Sequence, residues 1–183
     1  VSRQLVGLIG RKRSGKDSFA SVLVEEFGFR RVAFADPLKS AALDLDPIIR
    51  GGARPRLADV VAAKGWESTK DKYPEARRTL QRLGVAIRNI DPDFWLRAAL
   101  AEIDRDTRPV VVTDVRFPNE AEKLAAMGAH LIRIERPSSS SSVDLHVSET
   151  ALDGYVVSLH VANNGTLDDL RSAARAAARS FGT

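Results

Sequence analysis

The sequence predicts an α/β fold: a central parallel sheet of five strands, covered by helices on both faces and carrying a helical insertion. Three observations predict it. Apolar, β-branched runs alternate with segments of helical period, the order that builds a parallel sheet through crossover helices. The run Val110, Val111, Val112 is continuous rather than alternating, as in a strand buried on both faces. The first apolar run, Leu5 to Ile9, leads straight into a loop of glycine and lysine and then into a helical pattern.

That loop reads Gly10, Arg11, Lys12, Arg13, Ser14, Gly15, Lys16, Asp17, with the spacing G-x4-G-K. Strand, glycine loop and helix in this order form a phosphate-binding P-loop. Backbone N–H groups curl about a polyphosphate and the new helix offers the positive end of its dipole. Lys16 adds a point charge near the β- and γ-phosphates, with Arg13 and Lys12 beside them. Gly15 lets the backbone approach closely. Asp17 stands where the common motif has a hydroxyl for Mg2+, and a hydroxyl follows at Ser18. The plain alternative is a tight glycine turn before a helix.

The first helix is expected over 16–27, with Phe19, Val22, Leu23 and Phe27 as its apolar stripe and Gly28 as its end. A strand follows at 29–34. Asp36 and Pro37 read as an N-cap and a first-turn proline, and Leu38, Ala41, Ala42 and Leu45 continue that helix inward. Residues 46–55 are a loop rich in Gly, Pro and Arg. Helices are expected over 57–64, over 75–90 (Leu80, Leu83, Ile87, Ile90) and from Asp91-Pro92 to 104 (Phe94, Leu96, Leu100, Ile103). The strand at 109–113 ends at Asp114. Pro118 opens a helix that stops near Gly128, and 129–135 is the fourth strand. Pro137 and five serines at 138–142 break the pattern. The last strand lies near 155–161. Thr166 and Asp169 have the spacing of a capping box and open a helix through 181. Roughly seventy residues separate the second and third strands, far more than one crossover helix needs. They are expected to form an inserted helical subdomain at the strand ends, where ligands bind.

At 183 residues the chain suits one α/β domain, and 44% hydrophobic content is ample for its core. No apolar stretch is long enough to span a membrane, and the first residues do not read as a secretory signal. With no cysteine there are no disulfides and no thiolate metal sites. The net charge of +4 fits phosphate ligands without calling for nucleic acid, which is not an expected partner.

Four segments join the loop. They are Phe34-Ala-Asp36-Pro-Leu-Lys39, Leu80-Gln81-Arg-Leu-Gly84, Thr113-Asp114-Val-Arg116-Phe-Pro-Asn-Glu120 and Asp144-Leu-His146-Val-Ser148-Glu149. In this order, from about residue 5 to 170, they resemble the bacteriophage deoxynucleoside monophosphate kinases. The Gly-Lys-Asp loop and the run from Asp114 to Glu120 are the most specific parts. The segment 45–72 matches none of the motifs. The resemblance implies a three-layer P-loop kinase fold, a substrate-binding helical region and a mobile lid. It implies a single kinase domain over 1–183, with the helical insertion at 35–108 and the lid region at 136–150. The implied reaction moves the γ-phosphoryl group of ATP, with Mg2+, to a deoxynucleoside 5′-monophosphate. Such an enzyme is expected in the cytoplasm, the host's if a phage encodes it. Monomer and homodimer both stay open. The alternatives are another small P-loop kinase, such as dephospho-coenzyme A kinase, and a non-catalytic nucleotide-binding module. A GTP-dependent switch would need an Asn-Lys-x-Asp motif, which is missing from the sequence.

Phosphoryl transfer needs positioning and charge neutralisation rather than covalent help. Lys16 is the first charge clamp. Asp114, at the end of an apolar strand, stands where a carboxylate would hold Mg2+ directly or through water, the alternative being a helix cap before Pro118. Asp17 is the second metal candidate, or simply a first-turn helix stabiliser. Arg116, two residues beyond Asp114, points the same way from an extended segment, and the resemblance places it in the substrate site. Asp36 orients the acceptor phosphate or a metal-bound water, with Lys39 one turn on supplying positive charge. Gln81 and Arg88 share one helix face and are candidates for reading base and phosphate, with a solvated polar face as the equal alternative for either. Trp95 is a candidate for stacking on a base, although an aromatic on a helix is more often core. Arg133 and Arg136 flank the serine run, and Arg136 is placed, as lid arginines are in nucleotide kinases, to close over the transferring phosphate. His146 is read as part of a helix start with Ser148 rather than as a base. His130 and His160 are read as structural, and Arg171, Arg175 and Arg179 as a solvated stripe.

Overall fold

The computed structural model describes residues 3–50, 54–105, 107–137 and 150–181. In chain order the elements are β1 (Leu5–Ile9), α1 (Lys16–Phe27), β2 (Arg30–Val32), α2 (Ala35–Leu45), α3 (Leu57–Lys72) and α4 (Pro74–Ile90). Then come α5 (Phe94–Asp104), β3 (Val110–Val112), α6 (Pro118–Ala126), β4 (His130–Glu135), β5 (Leu159–Ala162) and α7 (Leu167–Ser180). The chain divides into two compact units, Val1–Ala33 with Leu100–Thr183, and Phe34–Ala99.

The first unit holds five parallel strands in the order β2-β3-β1-β4-β5. β1 and β3 are buried along their whole length, as their unbroken apolar runs predict. Val6 and Leu8 point to the face covered by α1 and α7, where they meet Phe19, Leu23, Ile132, Ile134, Leu170 and Ala174. Gly7 points to the opposite face. A Cβ there would stand 2.8 Å from Leu131 Cδ2 and 3.1 Å from Leu124 Cδ1 of α6, so a larger residue would require these leucine side chains to shift. Arg3 donates to the carbonyl of Ile103 at 2.7 Å, and Arg30 donates to those of Glu102 and Ile103. These cations serve the orphan carbonyls at the C-terminal end of α5.

Several expected boundaries move. β2 is three residues, not six, because Ala33 and Phe34 already turn toward α2. Asp36 lies inside the first turn of α2, whose N-cap is Phe34, so it is not the cap that Asp36-Pro37 suggests. It still stabilises the helix start through its charge. β5 starts at Leu159 rather than near 155, because backbone bonds from Asp153 to Thr150 and from Tyr155 to Leu152 wind that stretch into turns. Thr166 caps α7: its Oγ1 accepts from the N–H of Asp169, while Asp169 Oδ2 accepts from the N–H of Thr166 at 2.8 Å.

In the second unit α2, α3 and α4 pack on one another. Ala42, Ile49, Leu57, Val60 and Ala76 form the core, with Leu80 and Leu83 against it. α3 runs past the expected stop at 64 because its two halves join across a kink at Gly65, where φ is 72°. Thr69 Oγ1 donates to the Gly65 carbonyl at 2.7 Å and so satisfies an acceptor that the kink exposes. Among the described residues no helix is long and apolar enough to cross a membrane.

Candidate active site

The loop between β1 and α1 has the geometry its composition requires. Gly10 has φ 153° and Gly15 has φ 107°. A Cβ on Gly10 would sit well inside contact distance of the Ile134 carbonyl oxygen, so this turn excludes every other residue. Arg13 takes φ 64°, an unusual choice for a non-glycine residue, as the loop doubles back. Ser14 N–H donates to the Arg11 carbonyl at 3.1 Å and closes the turn. Lys16 Nζ donates to the carbonyls of Gly10 at 2.6 Å and Arg11 at 2.8 Å. The ammonium therefore crosses the mouth of the loop and is half-buried, rather than extended into solvent as a surface lysine would be. Lys12, Arg13 and Asp17 are exposed, and Ser18 is half-buried.

The end of β3 comes to the start of this loop. Val115 N–H donates to the carbonyl of Leu8 at 3.2 Å, which brings the segment of Asp114 and Arg116 alongside β1 as it enters Gly10. Both side chains are half-buried. The turn that carries Arg116 is held from below. Glu120 is 3% exposed, and its Oε2 accepts the N–H groups of Arg116 at 2.8 Å and Phe117 at 3.0 Å. A cavity of about 390 Å3 opens here, lined among others by Gly10, Arg11, Arg116, Arg136, Asp153 and Asn164. It lies at the C-terminal ends of parallel strands, the expected position for a ligand in such a sheet.

The structure thus gathers Gly10–Ser18, Asp114, Arg116 and Arg136 in the first unit. In the second unit Asp36 and Lys39 share the start of α2, with Lys39 Nζ 3.0 Å from Asp36 Oδ1. Gln81, Gly84 and Arg88 follow one face of α4. Leu38 of α2 lies 3.2 Å from where a Gly84 Cβ would be, so that face meets the helix of Asp36 and Lys39. Gln81 is exposed and Arg88 half-buried. Trp95 is a correction. It is 4% exposed and its indole N–H donates to the Gly84 carbonyl at 3.2 Å, so it is a core residue with no free face for a base. Arg133 is also not a lid arginine. It is 7% exposed and donates to the carbonyls of Leu152 at 2.8 Å and Tyr155 at 3.0 Å, pinning the turns before β5. His130 stacks on Phe181, as its structural reading requires. The serine run and the segment of Asp144, His146, Ser148 and Glu149 lie outside the described residues.

Reading the sequence alone missed three residues of this site. Glu120 carries a signal, a carboxylate three positions after the residue that precedes Pro118. Asp153 pairs with Arg11 of the loop at 3.1 Å across a long stretch of sequence, which no local pattern reveals. Asn163 donates from Nδ2 to the Ser14 carbonyl at 2.9 Å. Its only signal is polar residues directly after an apolar strand. For a cation, the described residues hold no group of three or more carboxylates and histidines. Asp17 and Asp114 each offer hard carboxylate oxygens, the donor type that Mg2+ takes one or two of while filling its shell with phosphate and water.

Comparison with known proteins agrees with this geometry. A sequence profile described as deoxynucleotide monophosphate kinase matches residues 59–174, and therefore starts beyond the phosphate loop. A protein of Acanthamoeba polyphaga mimivirus is 31% identical, the alignment covering 92% of each chain. The deoxynucleotide monophosphate kinase of Enterobacteria phage T4 is 32% identical over 64% of this chain and 48% of its own, so the chain aligns with about half of that enzyme. Among solved structures, dephospho-CoA kinase from Campylobacter jejuni superposes with a TM-score of 0.52 at 13% identity, covering 98% of this chain and 97% of its own. That likeness speaks for the fold.

Proposed function

The chain belongs to the deoxynucleotide monophosphate kinase family, and we propose on that footing that it transfers the γ-phosphoryl group of ATP to a deoxynucleoside 5′-monophosphate. The observation that carries this reading is the junction of β1 and β3. There the Val115–Leu8 backbone bond sets an acid and an arginine beside a lysine-bearing phosphate loop.

The reaction is an in-line displacement. An oxygen of the acceptor 5′-phosphate attacks the γ-phosphorus, the bond to the β–γ bridging oxygen breaks, and ADP leaves as the nucleoside diphosphate forms. The loop N–H groups hold the donor phosphates. Lys16 exchanges its loop carbonyls for phosphate oxygens and offsets the charge on the β- and γ-phosphates. Arg116, kept in register by Glu120, forks onto the transferring or accepting phosphate, and Arg136 does the same from the end of β4. Asp114 and Asp17 would hold Mg2+, which supplies charge neutralisation when bound. Asp36, Lys39, Gln81 and Arg88 are assigned to the acceptor through the likeness of their segments to the kinase motifs. We place the enzyme in the cytoplasm, where ATP and nucleoside monophosphates meet.

The test is product identity. With γ-labelled ATP, Mg2+ and each deoxynucleoside monophosphate in turn, the label should appear at the β-position of a deoxynucleoside diphosphate. Label found only in inorganic phosphate would contradict a transferase.

A further inference from the structure

Asn163 stands outside the motifs quoted above, yet its side chain is hydrogen-bonded to the backbone of the phosphate loop. It is 8% exposed. Its backbone N–H donates to the Glu135 carbonyl at 2.7 Å, which fixes it to the end of β4. Three residues later the Thr166–Asp169 cap starts α7, so the segment that carries Asn163 is held at both ends. From this frame its side-chain Nδ2 reaches the Ser14 carbonyl at 2.9 Å. The packing leaves no slack: a Cβ on Gly15 would stand 2.7 Å from the same nitrogen.

The consequence lies in the peptide between Ser14 and Gly15. Every described peptide bond is trans, and in a trans peptide the C=O and the following N–H point in opposite directions. Fixing the Ser14 oxygen against Asn163 therefore turns the Gly15 N–H away from Asn163. Gly15 has no Cβ to restrict its own torsions. A peptide that ends on glycine can rotate, and a half-turn would present a carbonyl oxygen to an anion in place of an N–H. Resting on the reading of this loop as the ATP site, we infer that Asn163 is a positioning residue. It sets the Ser14–Gly15 peptide so that the Gly15 N–H faces the donor phosphates before nucleotide arrives.

The test uses Mg2+·ADP as the probe and two variants, Asn163→Leu and Asn163→Asp, which keep the side-chain volume and remove the N–H donor. Calorimetric titration should show ADP binding weakened about tenfold or more, the scale of a lost buried hydrogen bond. The acceptor KM should move less than about twofold, the tolerance of a contact not touched. In amide spectra of the 15N-labelled protein, the Gly15 resonance should shift with ADP in the wild type and fail to shift in the variants. Asn163→Gln, which keeps a donor, should recover part of the affinity. Wild-type ADP affinity and an intact Gly15 response in either folded variant would overturn the inference alone. So would equal weakening toward ADP and acceptor. A wild-type protein that does not bind ADP would overturn the ATP-site reading together with it.

Discussion

Lys16 Nζ lies 2.6 Å from the carbonyl oxygen of Gly10, so the loop's own backbone holds the lysine's charge. The second bond, to Arg11, makes this a two-point clasp. In the proposed mechanism phosphate oxygens take over the same ammonium, a move that needs rotation of the lysine side chain. Lys16→Met should leave the far-UV spectrum and the folded topology unchanged while lowering kcat by on the order of 10³-fold or more. Near-wild-type turnover in a coupled ADP-release assay would remove the loop from the mechanism.

Asp114 should matter through the metal. Asp114→Asn keeps the shape and one oxygen but loses the charge, so the Mg2+ concentration at half-maximal rate should rise by about tenfold or activity should vanish. An unchanged Mg2+ titration would reduce Asp114 to a structural role at the end of β3.

Glu120 separates shape from charge. Glu120→Ala strands two backbone donors beneath Arg116 and should cost about 1–3 kcal/mol of unfolding free energy. It should also lower kcat/KM beyond what the folded fraction explains, because the Arg116 fork loses its aim. Glu120→Gln keeps an acceptor oxygen and should recover most of both. Denaturant unfolding paired with kinetics checks this, and an Ala variant that loses stability but keeps kcat/KM per folded molecule would contradict it.

The α1–α7 face carries a pH signature. Arg175 donates two hydrogen bonds at 2.7 Å to the two carboxylate oxygens of Glu26. These bonds, aided by the field of Arg175, Arg171 and Arg179 and opposed by some desolvation, hold the Glu26 carboxyl below its ordinary range. A lowered carboxyl pKa stabilises the fold above the unfolded value near about pH 4.3, and the gain is lost as pH falls through the folded value. Wild type should therefore melt above Arg175→Met at neutral pH, with the gap shrinking as pH falls below the unfolded carboxyl's range and narrowing in high salt. A gap that does not change with pH would mean the pair acts only by packing.

What the sequence made legible was local. α1 was read to the residue because Gly15 and Gly28, both with left-handed φ, bracket one clean apolar stripe. Thr166 and Asp169 announce α7 by the spacing of their capping box. The turn of the glycine loop, and the position of the Asp114–Arg116 segment beside it, were legible because each is written in consecutive residues. Trp95 was misread because a helix pattern does not say which side of an indole will be covered, and the Gly84 carbonyl that satisfies it belongs to another helix. Asp36 looked like a cap because the turn at Phe34, which caps α2 two residues earlier, has no side-chain signature. Asn163 and Asp153 were invisible because their partners in the loop are 149 and 142 residues away. Pairings of that range come from strand order, and strand order is a property of the fold.

The acceptor decides the account. The measurement is kcat/KM with ATP as donor, across matched pairs of deoxynucleoside and ribonucleoside monophosphates, with dephospho-coenzyme A alongside. A site selective for the sugar excludes a 2′-hydroxyl by a steric wall or by leaving that hydroxyl unpaired. The account predicts that at least one deoxynucleoside monophosphate is phosphorylated with a kcat/KM clearly above that of its ribose counterpart, and that dephospho-coenzyme A is inert. A consistent preference for ribose, or transfer to dephospho-coenzyme A alone, would contradict it.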